Sequence, residues 1–136
     1  MIKNYQGEKQ FLKSNLADFL TNEKEETSNH IILVANLPYI PDETFDNNAL
    51  ENVQKREPRL AFVGGDDGLD LYREMFEQIA TRDAKHNTHK VPITMFLEMM
   101  TRQIEILKKE FDRLEFEELE TFHFNIKIVK VQQKNS

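Results

Sequence analysis

Four consecutive residues, Asn36-Leu37-Pro38-Tyr39, combine a side-chain amide, a backbone carbonyl aimed by a proline and an aromatic face. An asparagine amide oxygen can accept one N–H of a planar –NH2 group, and the Pro38 carbonyl can accept the second. Held at both hydrogens, that nitrogen cannot rotate away from its target, and the Tyr39 ring can pack the planar group. The arrangement suits in-line displacement at a methyl sulfonium, with catalysis mainly by positioning. The same residues also suit an ordinary strand exit, in which Asn36 satisfies its own backbone and Tyr39 packs nearby.

Such a loop needs a scaffold, and the pattern of apolar residues predicts one. Ile31-Ile32-Leu33-Val34-Ala35 is an unbroken apolar run, expected to be a strand buried on both faces as in parallel sheets. It stops at Asn36, where Pro38 and Pro41 prevent regular structure from continuing. Ligands of open α/β sheets sit beyond such strand ends. Asp42 to Arg59 reads as a long polar connection, with a helical turn near Ala49 to Val53. Gly64-Gly65-Asp66-Asp67-Gly68 then leads into a helix that Asp66 or Asp67 could cap, with Leu69, Tyr72, Phe76, Ile79 and Ala80 forming its apolar stripe. Thr81 to Lys90 reads as a loop and Ile93 to Leu97 as a second buried strand. Ile104, Leu107, Phe111 and Leu114 mark a second amphipathic helix. Glu117–Phe124 and Ile126–Val131 form two closing strands, antiparallel because their connection is short. Upstream, Gln10 to Lys13 suggests a short strand, Leu16 to Leu20 a helical turn, and Thr21 to Asn29 a polar surface connection. Alternating strands and helices indicate an α/β sandwich.

A chain of 136 residues is one domain in size, and 39% hydrophobic content suits a globular protein rather than a disordered one. The absence of cysteine excludes disulfides and thiolate metal sites, and fits a cytoplasmic setting. The longest apolar run is far too short to cross a bilayer, and no secretory leader is visible. Acidic residues outnumber basic ones by 24 to 18, giving a net charge of −6, which works against extended contact with a phosphate backbone. Lys127, Lys130 and Lys134 form the one local basic patch, best read as a solvated face. His86 and His89 have two-ligand spacing but no evident third ligand, so no metal site is expected.

Beyond the four-residue motif, Glu57-Pro58-Arg59-Leu60-Ala61-Phe62-Val63-Gly64-Gly65-Asp66-Asp67-Gly68-Leu69-Asp70-Leu71-Tyr72-Arg73 is a long, specific pattern, and Phe96-Leu97-Glu98-Met99-Met100-Thr101-Arg102-Gln103 is another. With these, the chain resembles the HemK/PrmC family of protein-glutamine N5-methyltransferases, which modify the Gly-Gly-Gln loop of peptide-chain release factors. The family carries Asn-Pro-Pro-Tyr-Ile-Pro, a later Glu-Pro, Ala-Leu-x-Gly-Gly-x-Asp-Gly-Leu, a following Tyr-Arg, and Leu-Glu-Ile-Gly-x-x-Gln. The resemblance runs from about Phe11 to Val131 and implies a class I, Rossmann-like, S-adenosylmethionine-dependent methyltransferase. It implies catalytic roles for Asn36, Pro38 and Tyr39, and a substrate site made of Asn36, Leu37, Pro38, Tyr39 and Ile40. Asn36 and the Pro38 carbonyl would hold the two N–H groups of a glutamine amide against Tyr39. Glu57 and the Gly64 to Gly68 segment would act as a structural turn and helix cap.

Three departures qualify what the resemblance implies. Leu37 stands where the family usually has its first proline, as it does in ribosomal-RNA adenine dimethylases. Met100 replaces a glycine, which implies an altered turn after the second buried strand. Only Gly7 precedes Asn36, so no strand-Gly-x-Gly-helix turn for the cofactor lies upstream. The expected fold is therefore a partial class I methyltransferase sheet, mostly parallel with an antiparallel C-terminal strand pair. It lacks the N-terminal cofactor-binding strands, spans residues 1–136 and ends in a polar tail at 132–136. S-adenosylmethionine is the implied cofactor, and Asn36 is the one candidate contact to it. In the family the Asn-bearing strand pairs with the glycine-bearing one, so Ile31 to Val34 would present an open apolar edge here. A homo-oligomer or a separate N-terminal half is expected to close it. The expected function is a methyltransferase portion, incomplete or inactive alone. The alternatives are a degenerate, non-catalytic binding module, or a relative of N6-adenine nucleic-acid methyltransferases, favoured by Leu37 and disfavoured by charge.

Overall fold

The structure, a computed structural model, describes residues 30–48, 59–85 and 91–134. The expected elements at Gln10 to Leu20, the helical turn at Ala49 to Val53, Glu57 and Pro58, and His86 and His89 lie outside the described residues. Strand β1 (Ile31–Ala35) is followed by helix α1 (Asp42–Asn48), a 3-10 turn (Arg59–Ala61) and helix α2 (Asp70–Lys85). Strand β2 (Ile93–Met100), helix α3 (Thr101–Glu110) and strands β3 (Leu114–Thr121) and β4 (Ile126–Gln133) complete the order. The fold is α/β.

The four strands form one mixed sheet in the order β1-β2-β4-β3. β1 and β2 are parallel, with Ala35 opposite Leu97, whereas β2–β4 and β3–β4 are antiparallel. The expectation of a mostly parallel sheet is corrected among the described residues. The closing hairpin folds back so that β4, not β3, lies beside β2, and this insertion makes two of the three pairings antiparallel.

Several element boundaries also differ from the sequence pattern, including β2 and β4, which run on to Met100 and Gln133. The polar stretch after Pro41 contains α1, whose Asp42 and Glu43 suit a helix start. α2 runs through Lys85 rather than ending at Ala80, because helix propensity persists where the apolar stripe stops. Leu114 opens β3 instead of closing a helix. α3 ends at Glu110, and Phe111 caps it with its backbone N–H on the Leu107 carbonyl at 2.8 Å. β3 stops at Thr121, and the hairpin turns through Phe124 and Asn125, both at φ near +60°.

The core lies on one face of the sheet. Met95, Leu97, Met99, Val129 and Val131 meet Leu69, Tyr72, Met75, Phe76 and Ile79 from α2, and Ile104 and Leu107 from α3. Phe76 stands edge-on to Phe111 and to Phe116, with ring centroids 5.1 and 6.1 Å apart, a favoured aromatic geometry. β1 joins this core through Ile31, Leu33 and Ala35 only. Ile32 and Val34 are 67% and 75% exposed, so β1 is covered on one face, not two. The strand ladder places them on the same face as Phe96 and Lys130, opposite the two long helices. No described helix is long and apolar enough to cross a membrane. Two lysines of the basic patch are paired across the hairpin, Lys127 with Glu118 at 2.5 Å and Lys130 with Glu117 at 3.2 Å.

Candidate functional site

The four-residue motif leaves the sheet at the C-terminal end of β1 and is strapped to the glycine segment by backbone bonds. Ile40 N–H donates to the Phe62 carbonyl at 2.9 Å, Gly64 N–H to the Ile40 carbonyl at 3.0 Å, and Asp42 N–H to the Gly65 carbonyl at 3.0 Å. Ile40 and Val63 thus form a short parallel bridge. Two glycines permit this close contact. A Cβ on Gly64 would lie 2.5 Å from the Pro38 carbonyl oxygen. Gly68, at φ +79°, backs directly onto the Tyr39 carbonyl, where no side chain fits.

The Phe96 to Gln103 motif holds the loop from the other side. Glu98 on β2 accepts a 2.7 Å hydrogen bond from the Tyr39 hydroxyl. Gln103, 3% exposed at the start of α3, donates through Nε2 to the Tyr39 carbonyl at 2.7 Å and to the Asp67 carbonyl at 3.0 Å. Its Oε1 accepts the Met100 N–H at 2.9 Å, one half of a capping box. One amide side chain therefore joins three segments with no polar atom wasted. Met100 itself sits at φ −79°, extended backbone open to any residue, so a side chain at this position costs no strain and the altered turn expected there is not needed.

The tyrosines complete the frame. The Tyr72 hydroxyl, on α2, donates to the Glu98 carbonyl. Burial, then the hydrogen bond to Glu98 and its charge, push the Tyr39 hydroxyl far above the usual phenol range. Burial, then the neighbouring Tyr39 and Glu98, do the same to Tyr72. Both stay neutral donors at physiological pH, so neither serves as a base.

Arg73 ties the glycine segment to α3. It donates to both Asp67 carboxylate oxygens at 3.0 and 2.6 Å and to Glu110 at 2.8 and 2.9 Å. Asp67 also accepts the Leu69 N–H at 3.0 Å, an Asx turn that organises the approach to α2 without capping an N–H of its first turn. The hydrogen bonds from Arg73 are the largest cause holding the Asp67 carboxyl below its usual range. A depressed folded value contributes stability fully present above the unfolded pKa, about 3.9, and lost as pH falls through the folded value. Asp67→Asn is therefore expected to lower the melting temperature at pH 7, with the difference from wild type vanishing in acid. Calorimetry across pH checks this, and a pH-independent difference would contradict it.

Each sequence-predicted residue has a distinct position. Leu37 and Tyr39 pack against the core, while Pro38 and Ile40 are half-buried. Asn36 is exposed. Tyr39 and Ile40 are tied by hydrogen bonds, whereas among the described residues no partner engages the Asn36 side chain or the Pro38 carbonyl. The roles of Glu98, Gln103 and Tyr72 were not separable in sequence. The Leu97-Glu98 and Gln103 matches marked the first two, and the Tyr72-Arg73 match and the helical stripe marked the third, without showing what any of them holds.

S-adenosylmethionine would need a glycine turn opening onto free space at the end of a parallel strand. The described glycine loop does not offer that. The space beside Gly64, Gly65 and Gly68 is filled by the Pro38 and Gly68 carbonyls, the Asp70 carboxylate, and the Tyr39 carbonyl with Gln103. These residues do not fit the cofactor's amino-acid and ribose ends. Among the described residues no cluster of metal-ligating side chains occurs.

No family model matches the chain. A release factor glutamine methyltransferase of Bacillus cereus is 44% identical over 48 residues, which are 35% of this chain and 17% of that protein. One of Caulobacter vibrioides is 50% identical over 48 residues, 35% of this chain and 16% of that protein. One of Clostridium acetobutylicum is 36% identical over 64 residues, 47% of this chain and 22% of that protein. The matched stretches thus span under a quarter of these relatives' length. Within that limit, the chain is similar to release factor glutamine methyltransferases.

Proposed function

We propose that the chain forms the substrate-holding side of an S-adenosylmethionine-dependent methyltransferase that acts on a glutamine side-chain amide, as presented by a release-factor Gly-Gly-Gln loop. One observation carries this reading. In a loop clamped at Tyr39 and Ile40, the Asn36 amide and the Pro38 carbonyl are left without described partners. Two acceptors at one strand exit match the two N–H groups of a primary carboxamide. Accepting from both hydrogens fixes the amide plane and strengthens electron donation at nitrogen as its N–H bonds polarise. An amide nitrogen is a poor nucleophile, and orientation is the help it most needs. The proton leaves after transfer, so no side chain need act as a strong base at the loop.

The cofactor's cradle then comes from residues other than the described ones. The β1 edge is the place for it to join, since β1 lies at the margin of the described sheet and carries Ile32 and Val34 exposed on the face opposite the helices. A cofactor-binding α/β portion that added a strand to β1 and packed a helix on that face would cover them, and the chain alone would be non-monomeric. Light scattering after size exclusion that shows a stable, well-folded monomer would count against this assembly.

The test of the reaction is methyl transfer from radiolabelled S-adenosylmethionine to a Gly-Gly-Gln peptide by the chain combined with a cofactor-binding half. Labelling of the glutamine is expected. Labelling of RNA and not of the peptide would favour the nucleic-acid reading. Peptide binding without transfer would favour a non-catalytic module.

A further inference from the structure

We infer that Glu98 is a positioning residue for the amide grip, acting through the Tyr39 hydroxyl to aim the Pro38 carbonyl. The inference rests on the amide-holding reading above and names a residue that acts on that site without touching substrate.

The Pro38 carbonyl and the Tyr39 N–H belong to one planar peptide unit, so fixing the Tyr39 Cα, Cβ and carbonyl carbon fixes its nitrogen, and that nitrogen together with the two Cα atoms sets the direction of the Pro38 oxygen. Tyr39 is held at two separate points. Glu98 Oε1 accepts from its hydroxyl at 2.7 Å, and Gln103 Nε2 donates to its carbonyl at 2.7 Å. Pinning both ends of the residue leaves the preceding peptide plane little freedom to rotate. Gly64 closes the remaining side, since a Cβ there would be 2.5 Å from the Pro38 oxygen. The Glu98 backbone carbonyl is itself held by the buried Tyr72 hydroxyl, so the acceptor for Tyr39 sits on a fixed strand position. The two hydroxyls and one glutamate thus connect the core helix α2, the central strand β2 and the amide-holding loop. Gln103 also braces the glycine segment, so its removal would disturb several things at once. Glu98 reaches the loop by one side-chain bond, which makes it the cleaner residue to test.

The test is NMR titration of the full chain with a Gly-Gly-Gln peptide. Glu98→Ala is expected to weaken binding by about 10-fold, a typical cost for losing one charge-assisted hydrogen bond. Glu98→Gln retains an acceptor oxygen and is expected to bind within about 2-fold of wild type. Tyr39→Phe should weaken binding as Glu98→Ala does, and the double variant should be no worse than either single one. Circular dichroism confirms that each variant is folded. Rescue by glutamine and non-additivity with Tyr39 are outcomes that general destabilisation would not produce. If folded Glu98→Ala binds like wild type, or Glu98→Gln is as weak as Glu98→Ala, the inference is overturned. If wild type itself does not bind the peptide, the amide-holding reading fails first and this inference with it.

Discussion

In the chain combined with a cofactor-binding half, as proposed above, Asn36→Ala is expected to lower methyl transfer to a glutamine peptide by about 10²- to 10³-fold, the range seen when one preorganised hydrogen-bonding group is removed from a reaction centre. The reason is geometric. With Asn36 gone, the Pro38 carbonyl holds one N–H and the amide can swing about that single bond, so the nitrogen spends little time in line for attack. Stability should change by less than about 0.5 kcal/mol, because the side chain is exposed and among the described residues makes no hydrogen bond. Asn36→Asp is an informative control. It keeps an acceptor but adds a charge, so it should retain part of the binding if acceptance of an N–H is what matters. Radiolabelled transfer beside a thermal melt checks the pair of outcomes. A variant that loses stability and activity together would place Asn36 in the scaffold instead.

Gly68→Ala should have the largest structural effect, a loss of about 3 kcal/mol of folding stability. Its backbone is at φ +79°, where a Cβ costs about 1–2 kcal/mol. The added methyl would also press on the Tyr39 carbonyl and the Gln103 side-chain amide, and overpacking of a tight site costs about 1–3 kcal/mol. The contacts matter beyond stability. The Tyr39 carbonyl and Gln103 are the bond that fixes the loop, so a folded fraction should also bind peptide more weakly. Gly68→Asn separates the two causes, since asparagine tolerates positive φ but still fills the space. If strain dominates, Asn recovers much of the loss, and if contact dominates, it does not. Urea denaturation reads the difference, and wild-type stability in Gly68→Ala would contradict this account of the turn.

Much of the site was legible because its residues are local in sequence. Asn36 to Tyr39 follow a β-branched strand, and Pro38 and Pro41 show where that strand must stop. The helix stripe Leu69, Tyr72, Phe76 and Ile79 reads directly from 3.6-residue spacing, and all four are buried. What periodicity could not show were pairings between distant segments. That β4 lies between β2 and β3 depends on which strand best covers the core, a tertiary choice invisible in either strand alone. For the same reason, the uninterrupted run Ile31 to Ala35 suggested two buried faces, while the helices cover one. The link from Gln103 to Tyr39 spans 64 residues, and that from Glu98 spans 59, so no local pattern contains them. The sequence motif marked Glu98 and Gln103 as notable without saying what they hold.

The central claim is that Asn36 and the Pro38 carbonyl recognise a primary carboxamide. NMR titration of the full chain with matched Gly-Gly-Gln and Gly-Gly-Glu peptides tests it most directly, because glutamate offers no N–H to either acceptor. The account predicts that the Asn36 side-chain amide resonances shift with the glutamine peptide, with affinity at least about 10-fold above that for the glutamate peptide. Equal affinity for the two peptides, or binding that leaves the Asn36 resonances unmoved, would contradict it.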